Sequence, residues 1–221
     1  MKILLALIFG FCMFFSVKAQ KIPAPNYVLK SHPTLEILKV ERNESGLIFY
    51  MSIQNELSTG GSFCIDRNTF LIVPGKKLKL KKTEGIPECP ENFNFEYPGQ
   101  HLEFQLFFPE LDKDIRIFDI REDCTSNCFW FSGVVVDENL NNKLDAAFLD
   151  YENGFLLQAL SEYKQIYTSV DKELPSIAAL CIFYMSGIEK ELKNFVEYKK
   201  WKEKLGEMNS PEAQTLFSRL D

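Results

Sequence analysis

The chain has 221 residues, of which 46% are hydrophobic, 25% charged and 14% aromatic, and 25 basic residues stand against 31 acidic ones for a formal net charge of -6. This is an ordinary globular composition, which excludes collagen-like, low-complexity and wholly disordered chains. The acidic excess, with no long basic block, argues against a nucleic-acid or anionic-membrane partner, because the chain carries no stripe that would neutralise phosphates.

The first element is an export signal. Met1-Lys2 precedes an apolar run from Ile3 to Val17, and Lys18-Ala19-Gln20 follows, with Val17 and Ala19 in the small-residue positions that a signal peptidase requires. A spanning helix needs about 20 apolar residues, and this run is shorter. Residues 1–19 therefore read as a signal peptide cleaved after Ala19, with no transmembrane segment left and a secreted or periplasmic, envelope-associated location. Cys12 does not read as a lipid-attachment site, since Phe11 precedes it where a small residue is expected. Loss of Lys2 and Lys18 makes the exported chain more acidic still.

Five cysteines remain after cleavage. In an oxidising compartment Cys64, Cys89, Cys124 and Cys128 can form two bridges, and Cys181 is the odd one out in the apolar run Ile177-Ala-Ala-Leu-Cys-Ile-Phe. Cys124 with Cys128 clips a loop, and Cys64 with Cys89 then ties two neighbouring connections, although sequence alone leaves the pairing open. The spacing between Cys124 and Cys128 is not that of a redox Cys-x-x-Cys turn, and a strand-like segment follows it, so a structural bridge is expected.

From Thr34 to Val136 the chain alternates short β-branched and aromatic runs with turn residues. Strands are predicted at Leu35 to Glu41, Leu47 to Gln54, Phe63 to Asp66, Thr69 to Val73, Lys77 to Lys82, Leu102 to Phe108, Ile115 to Arg121 and Phe129 to Val136. The pattern predicts an antiparallel immunoglobulin-like β-sandwich over 27–140. Leu102, Phe104, Leu106 and Phe108 alternate with polar residues, as in a strand with one buried face. The lysines at 76, 77, 79, 81 and 82 read as a solvated face with edge protection.

This stretch resembles a secreted immunoglobulin-like domain common in Bacteroidetes proteins. The resemblance rests on Phe70-Leu-Ile-Val-Pro-Gly-Lys-Lys-Leu-Lys-Leu, on the later block from Leu102 through Pro109 and Asp119 to Glu122, and on Trp130 and Gly133. It implies fold and compartment and says little about function. Cys124 and Cys128 in the last hairpin, and the helical tail, depart from that pattern.

After Val136 the period lengthens to nearly four. Leu144 to Tyr167, Pro175 to Gly187 and Ile188 to Met208 read as helical, and Ser210-Pro211-Glu212 opens a last short helix through Leu220. Leu144 to Phe155 lies over Ile177 to Ile188 at an offset of 33, with Ala146, Tyr151 and Gly154 matching Ala179, Tyr184 and Gly187. The pattern resembles a tetratricopeptide helix-turn-helix repeat, in which glycine ends the first helix. The alternative is a plain helical bundle on the sandwich, since fewer than three repeats do not normally bury a core unaided. Together these features predict an α+β chain, with a β-sandwich followed by a helical segment over 141–221. Within it, Glu189 and Lys193 are expected to support a solvated helix face as a charge pair.

The junction Asp137-Glu-Asn139-Leu-Asn141-Asn142-Lys-Leu144-Asp145 has the spacing of a calcium loop, with oxygen ligands at Asp137, Asn139, Asn141 and Asp145. Phe148 stands where such a loop needs a bidentate carboxylate, and a strand-to-helix connection capped by Asn141 or Asn142 explains the same residues. No cofactor is expected apart from this calcium. Catalytic residues are not predicted: there is no Gly-x-Ser-x-Gly elbow, His32 sits in Ser31-His-Pro33 near the start of the exported chain, where it is least tethered, His101 opens a predicted strand, and Asp112 and Asp114 lie in a turn.

What remains is a non-enzymatic binding or scaffold protein with a protein or peptide partner, held by the helix pair that carries Tyr151 and Tyr184. The alternative is a calcium-stabilised carbohydrate- or envelope-binding module, in which the rings of Phe104 to Phe108 and Phe129 to Phe131 would stack on sugars.

Overall fold

The computed structural model describes residues 20–125, 127–170 and 174–220, so the expected signal peptide lies outside the described residues. Among these the chain first forms twelve strands: β1 (Gln20–Pro23), β2 (Leu29–Lys30), β3 (Leu35–Asn43), β4 (Gly46–Gln54), β5 (Gly61–Phe63), β6 (Thr69–Val73), β7 (Lys76–Lys79), β8 (Lys82–Glu84), β9 (Phe93–Phe95), β10 (His101–Phe108), β11 (Ile117–Glu122) and β12 (Trp130–Val135). Five helices follow: α1 (Glu138–Glu152), α2 (Leu156–Val170), α3 (Pro175–Glu191), α4 (Phe195–Glu207) and α5 (Pro211–Ser218). The class is mixed α+β, with antiparallel strands first and helices after.

Two five-stranded sheets have the orders β1-β3-β4-β10-β8 and β2-β12-β11-β6-β7, and β5 pairs with β9 in a separate ladder. The long pairing of β10 with β4, from His101 opposite Gln54 to Phe108 opposite Leu47, sets the inner face of the first sheet. Leu102, Phe104, Leu106 and Phe108 are buried there beside Leu47, Phe49, Met51 and Ile53, as period-two alternation requires. Phe49 meets Phe108 edge-on at 5.6 Å and, across the two sheets, Phe118 at 5.7 Å. Each such ring or leucine stabilises the fold by about 1.5–3 kcal/mol relative to an exposed position.

Strand β12 is buried on both faces. Phe131 and Val134 point into the core between the sheets, whereas Val135 joins Val28 and Leu29 in a second core with the helices. Gly133 is needed here: its φ is +62°, and a Cβ would stand 2.5 Å from Val28 Cγ2. Its amide donates to Asp119 at 2.8 Å, beside the irregularity in the β11–β12 register between Phe118 and Ile120.

The helices stack in chain order, α1 on α2, α2 on α3 and α3 on α4; α5 closes over α3 and α4, and α1 and α3 both touch β12. Helix α3 is buried nearly all round, from Ile177 to Glu189, which marks it as the central helix of this half.

Several expectations are corrected. Lys77 to Lys82 is not one strand: β7 and β8 belong to different sheets, although all five lysines are exposed. Pairing begins at Gln20, where β1 joins β3, ahead of the expected start at 27. Helix α1 starts at Glu138, so a boundary between 140 and 141 falls inside it.

Gly154, at φ +77°, does end α1, but Gly187 lies within α3. The second turn comes at Lys193, a non-glycine residue at φ +60°. Both turns are Schellman caps: the Gly154 amide donates to Tyr151 O and Phe155 to Asp150 O, and the Lys193 amide donates to Lys190 O and Asn194 to Glu189 O. The structural offset of the two helical hairpins is therefore that between Gly154 and Lys193, 39 residues, and Tyr151 and Tyr184 are not equivalent positions. Glu189 is 3% exposed and faces Asn194 at 3.0 Å and Lys164 at 3.6 Å instead of Lys193.

Candidate functional site

At the strand-to-helix junction the calcium-loop reading fails on geometry, because the segment is helical from Glu138. Asp137 is the N-cap: one carboxylate oxygen accepts from the Leu140 amide at 2.9 Å and the other pairs with Arg116 at 2.6 Å. Burial works against its charge, but the Leu140 amide and Arg116 outweigh it and hold the carboxyl below the usual range. Asn139 is exposed on the first turn. Asn141 is buried, accepting from the Asn26 amide at 2.7 Å and donating to Val135 O at 2.9 Å. Asp145 accepts from Asn26 Nδ2 at 2.8 Å. The four ligands expected for calcium thus serve as a cap, a surface residue and a clamp on Asn26. No group of three or more His, Cys, Asp or Glu is placed to hold a metal ion among the described residues.

A groove of about 330 Å³ runs between the β half and the helices. One wall is the segment Ala24 to Val28 with Glu36 and Ile37 of β3; the other is formed by Leu144 and Phe148 of α1, Tyr163 of α2, and Leu180 and Tyr184 of α3. Tyr184 is the hub of its rings. It stacks on Tyr163 with centroids 4.8 Å apart and planes 5° apart, and Phe148, Tyr151 and Phe183 meet it edge-on at 5.9, 5.8 and 5.5 Å. Such arrangements follow the ring quadrupole and fix the cluster's shape.

Of the two tyrosines singled out in the sequence, Tyr184 lines the groove and Tyr151 does not. The Tyr151 hydroxyl donates to Glu191 at 2.5 Å, and this bond, with burial adding to it, pushes the phenol up to about 12. It ties the end of α1 to the end of α3. Sequence reasoning missed Phe148, Tyr163 and Leu180. Phe148 sits four residues beyond Leu144 and three before Tyr151, a helical-face signal that its reading as a failed calcium ligand obscured.

The cysteines pair as Cys64 with Cys89 and Cys124 with Cys128, with Cα separations of 5.3 and 5.7 Å. Cys181 is free and buried, and desolvation pushes its thiol up to about 12, the environment of an inert thiol. Asp119 and Glu122 are raised by burial, and both accept bonds from backbone amides. His32 sits 2.8 Å from Ser31 Oγ, and burial lowers its pKa; His101 is exposed at the start of β10. Phe104, Phe108, Phe129 and Phe131 are at most 3% exposed, so those rings cannot stack on a sugar, whereas Phe107 and Trp130 in the same runs are half-buried. No helix is long and apolar enough to cross a membrane among the described residues.

Comparison with protein-family models, with curated proteins and with solved structures gives no match. The groove presents aromatic faces, aliphatic side chains, the polar side chain of Asn26 and one carboxylate, Glu36.

Proposed function

We propose that the protein is an exported, non-enzymatic binding protein of the secreted immunoglobulin-like kind found in Bacteroidetes, with a tetratricopeptide-like tail, and that a protein or peptide partner docks in the groove between the two halves. The observation that carries this reading is the open ring of Phe148, 43% exposed, beside Tyr184 in a concave aromatic wall. Rigid tyrosines and phenylalanines give large contact area at low entropic cost, which is how recognition surfaces gain affinity. Two disulfides support an oxidising location, and two face-to-face sheets support the immunoglobulin-like plan. The hairpin offset of 39 exceeds the about 34 residues of a tetratricopeptide unit, so the likeness lies in stacked hairpins rather than in matched packing positions.

The test is peptide display panned on the mature protein, with selected peptides mapped by chemical-shift perturbation. Shifts centred on Tyr184, and loss of binding in Phe148→Lys with the fold retained by circular dichroism, are expected. Peptides that bind equally well to Phe148→Lys would refute the groove as the docking site.

A further inference from the structure

The end of the sandwich that carries both disulfides holds a second concavity, remote in composition from the aromatic groove. It is a cleft of about 820 Å³, within the range of about 300–1,000 Å³ typical of ligand sites. All of β5, from Gly61 to Phe63, lines it. Among the described residues β5 pairs with β9 and with no other strand, so its second edge carries amides and carbonyls without a ladder partner. Such an edge is a template for an added strand.

The cleft also has one sign of charge. Glu56, Asp66, Glu122 and Asp123 line it, and neither lysine nor arginine does. His32, also in the lining, does not offset this charge at neutral pH, since burial lowers its pKa. Glu56 and Asp123 are exposed and lie on different connections, between β4 and β5 and between β11 and β12. Cys64, Cys89 and Cys124 form part of the walls, so both bridges brace the cleft and little ordering is left to be done on binding.

We propose that this cleft binds an extended basic peptide segment, which adds to the free edge of β5 and directs lysine or arginine side chains at Glu56, Asp66 and Asp123, since both oxygens of Glu122 are taken by backbone amides. Main-chain pairing supplies affinity, and the alternation of side chains along a strand places every second residue of the ligand toward the acidic walls. The site is independent of the aromatic groove.

The experiment uses the mature protein and a fluorescein-labelled heptapeptide of alternating lysine and valine, read by fluorescence anisotropy. Binding that weakens with added salt is expected, with a loss of about tenfold or more in Glu56→Lys/Asp123→Lys, whose exposed positions leave the melting temperature unchanged. Of two peptides N-methylated at alternate amides, which keep the charge but block one edge each, one is expected to bind about tenfold more weakly. Phe148→Lys, in the other groove, is expected to bind as the wild type does. Equal affinity for a glutamate-for-lysine peptide, an unchanged affinity in the double variant, full affinity of both N-methylated peptides, or loss of binding in Phe148→Lys would each overturn the proposal.

Discussion

Replacing Asn141 by alanine tests the clamp at the junction of the two halves. Asn141 is 5% exposed, and its side chain accepts from Asn26 N at 2.7 Å and Asn26 Nδ2 at 3.0 Å while donating to Val135 O at 2.9 Å and Asp137 O at 3.1 Å. Alanine removes all four bonds. Asn26 Nδ2 keeps Asp145, and Asp137 O keeps the amide of residue 141, so the larger losses fall on the Asn26 amide and Val135 O. An unsatisfied buried group costs about 1–3 kcal/mol, and a net loss near 3 kcal/mol is expected for the pair. Urea denaturation followed by far-UV circular dichroism measures it, with Asn139→Ala, on the exposed face of the same turn, as the control expected within about 0.5 kcal/mol of wild type. Equal effects of the two substitutions, or a loss in Asn141→Ala below about 1 kcal/mol, would refute the clamp as a stabilising element. Wild-type stability unmoved by calcium or chelator is expected in the same assay, and a calcium-dependent shift abolished by Asn139→Ala would restore the metal loop.

Glu122→Gln tests the buried carboxyl. Burial raises its pKa despite two amide bonds, so the folded state binds this proton more tightly than the unfolded state. The carboxyl therefore lowers stability above its folded pKa, and that cost fades as pH falls to the ordinary carboxylate range. The stability of wild type relative to Glu122→Gln should rise across that window on acidification; a fall would contradict the assignment. Lys193→Gly removes a side chain from a left-handed position and should stabilise by about 0.5–1 kcal/mol, whereas Gly154→Ala in the matching turn should cost about 1 kcal/mol, both read from thermal melts. Paired serine substitutions should rank the bridges by loop length: separations of 25 and 4 residues imply losses of about 3.5 kcal/mol for Cys64–Cys89 and about 2 kcal/mol for Cys124–Cys128, measured by denaturant titration. The reverse order would show that local strain or packing outweighs chain entropy.

Strand β6 matches its predicted limits, and β4 and β10 nearly do, because each carries long alternation with one buried face. Strands β1, β2 and β9 escaped notice for a physical reason: segments of two to four residues are too short to show a period, and their pairing is decided by partners far away in sequence. Leu78 and Leu80 keep alternation through Lys77 to Lys82 although the chain passes from one sheet to the other, since periodicity reports a buried face and not which sheet supplies it. In the helical half, small residues and tyrosines at an offset of 33 suggested a repeat that the backbone does not follow. The true second corner is made by Lys193 in a conformation usually reserved for glycine, and nothing in a lysine announces that. The calcium-like spacing from Asp137 to Asp145 shows how an N-cap, a buried amide and an exposed helical turn can reproduce a ligand pattern. Tyr184 was legible as a candidate; its neighbours in the groove come from α1, α2 and the segment before β2, and only the fold brings them together.

The double burial of β12 has a consequence for how such a protein can arise. With Val135, Val28 and Leu29 covered by helices and Asn26 fastened to α1, cutting the gene after the last strand would strip one sheet of its outer cover and leave the first helix without its anchor. The β half is thus not a cassette that recombination can move freely between genes, and transfer to another protein would need the helical tail to travel with it or a new cover to evolve at the same step.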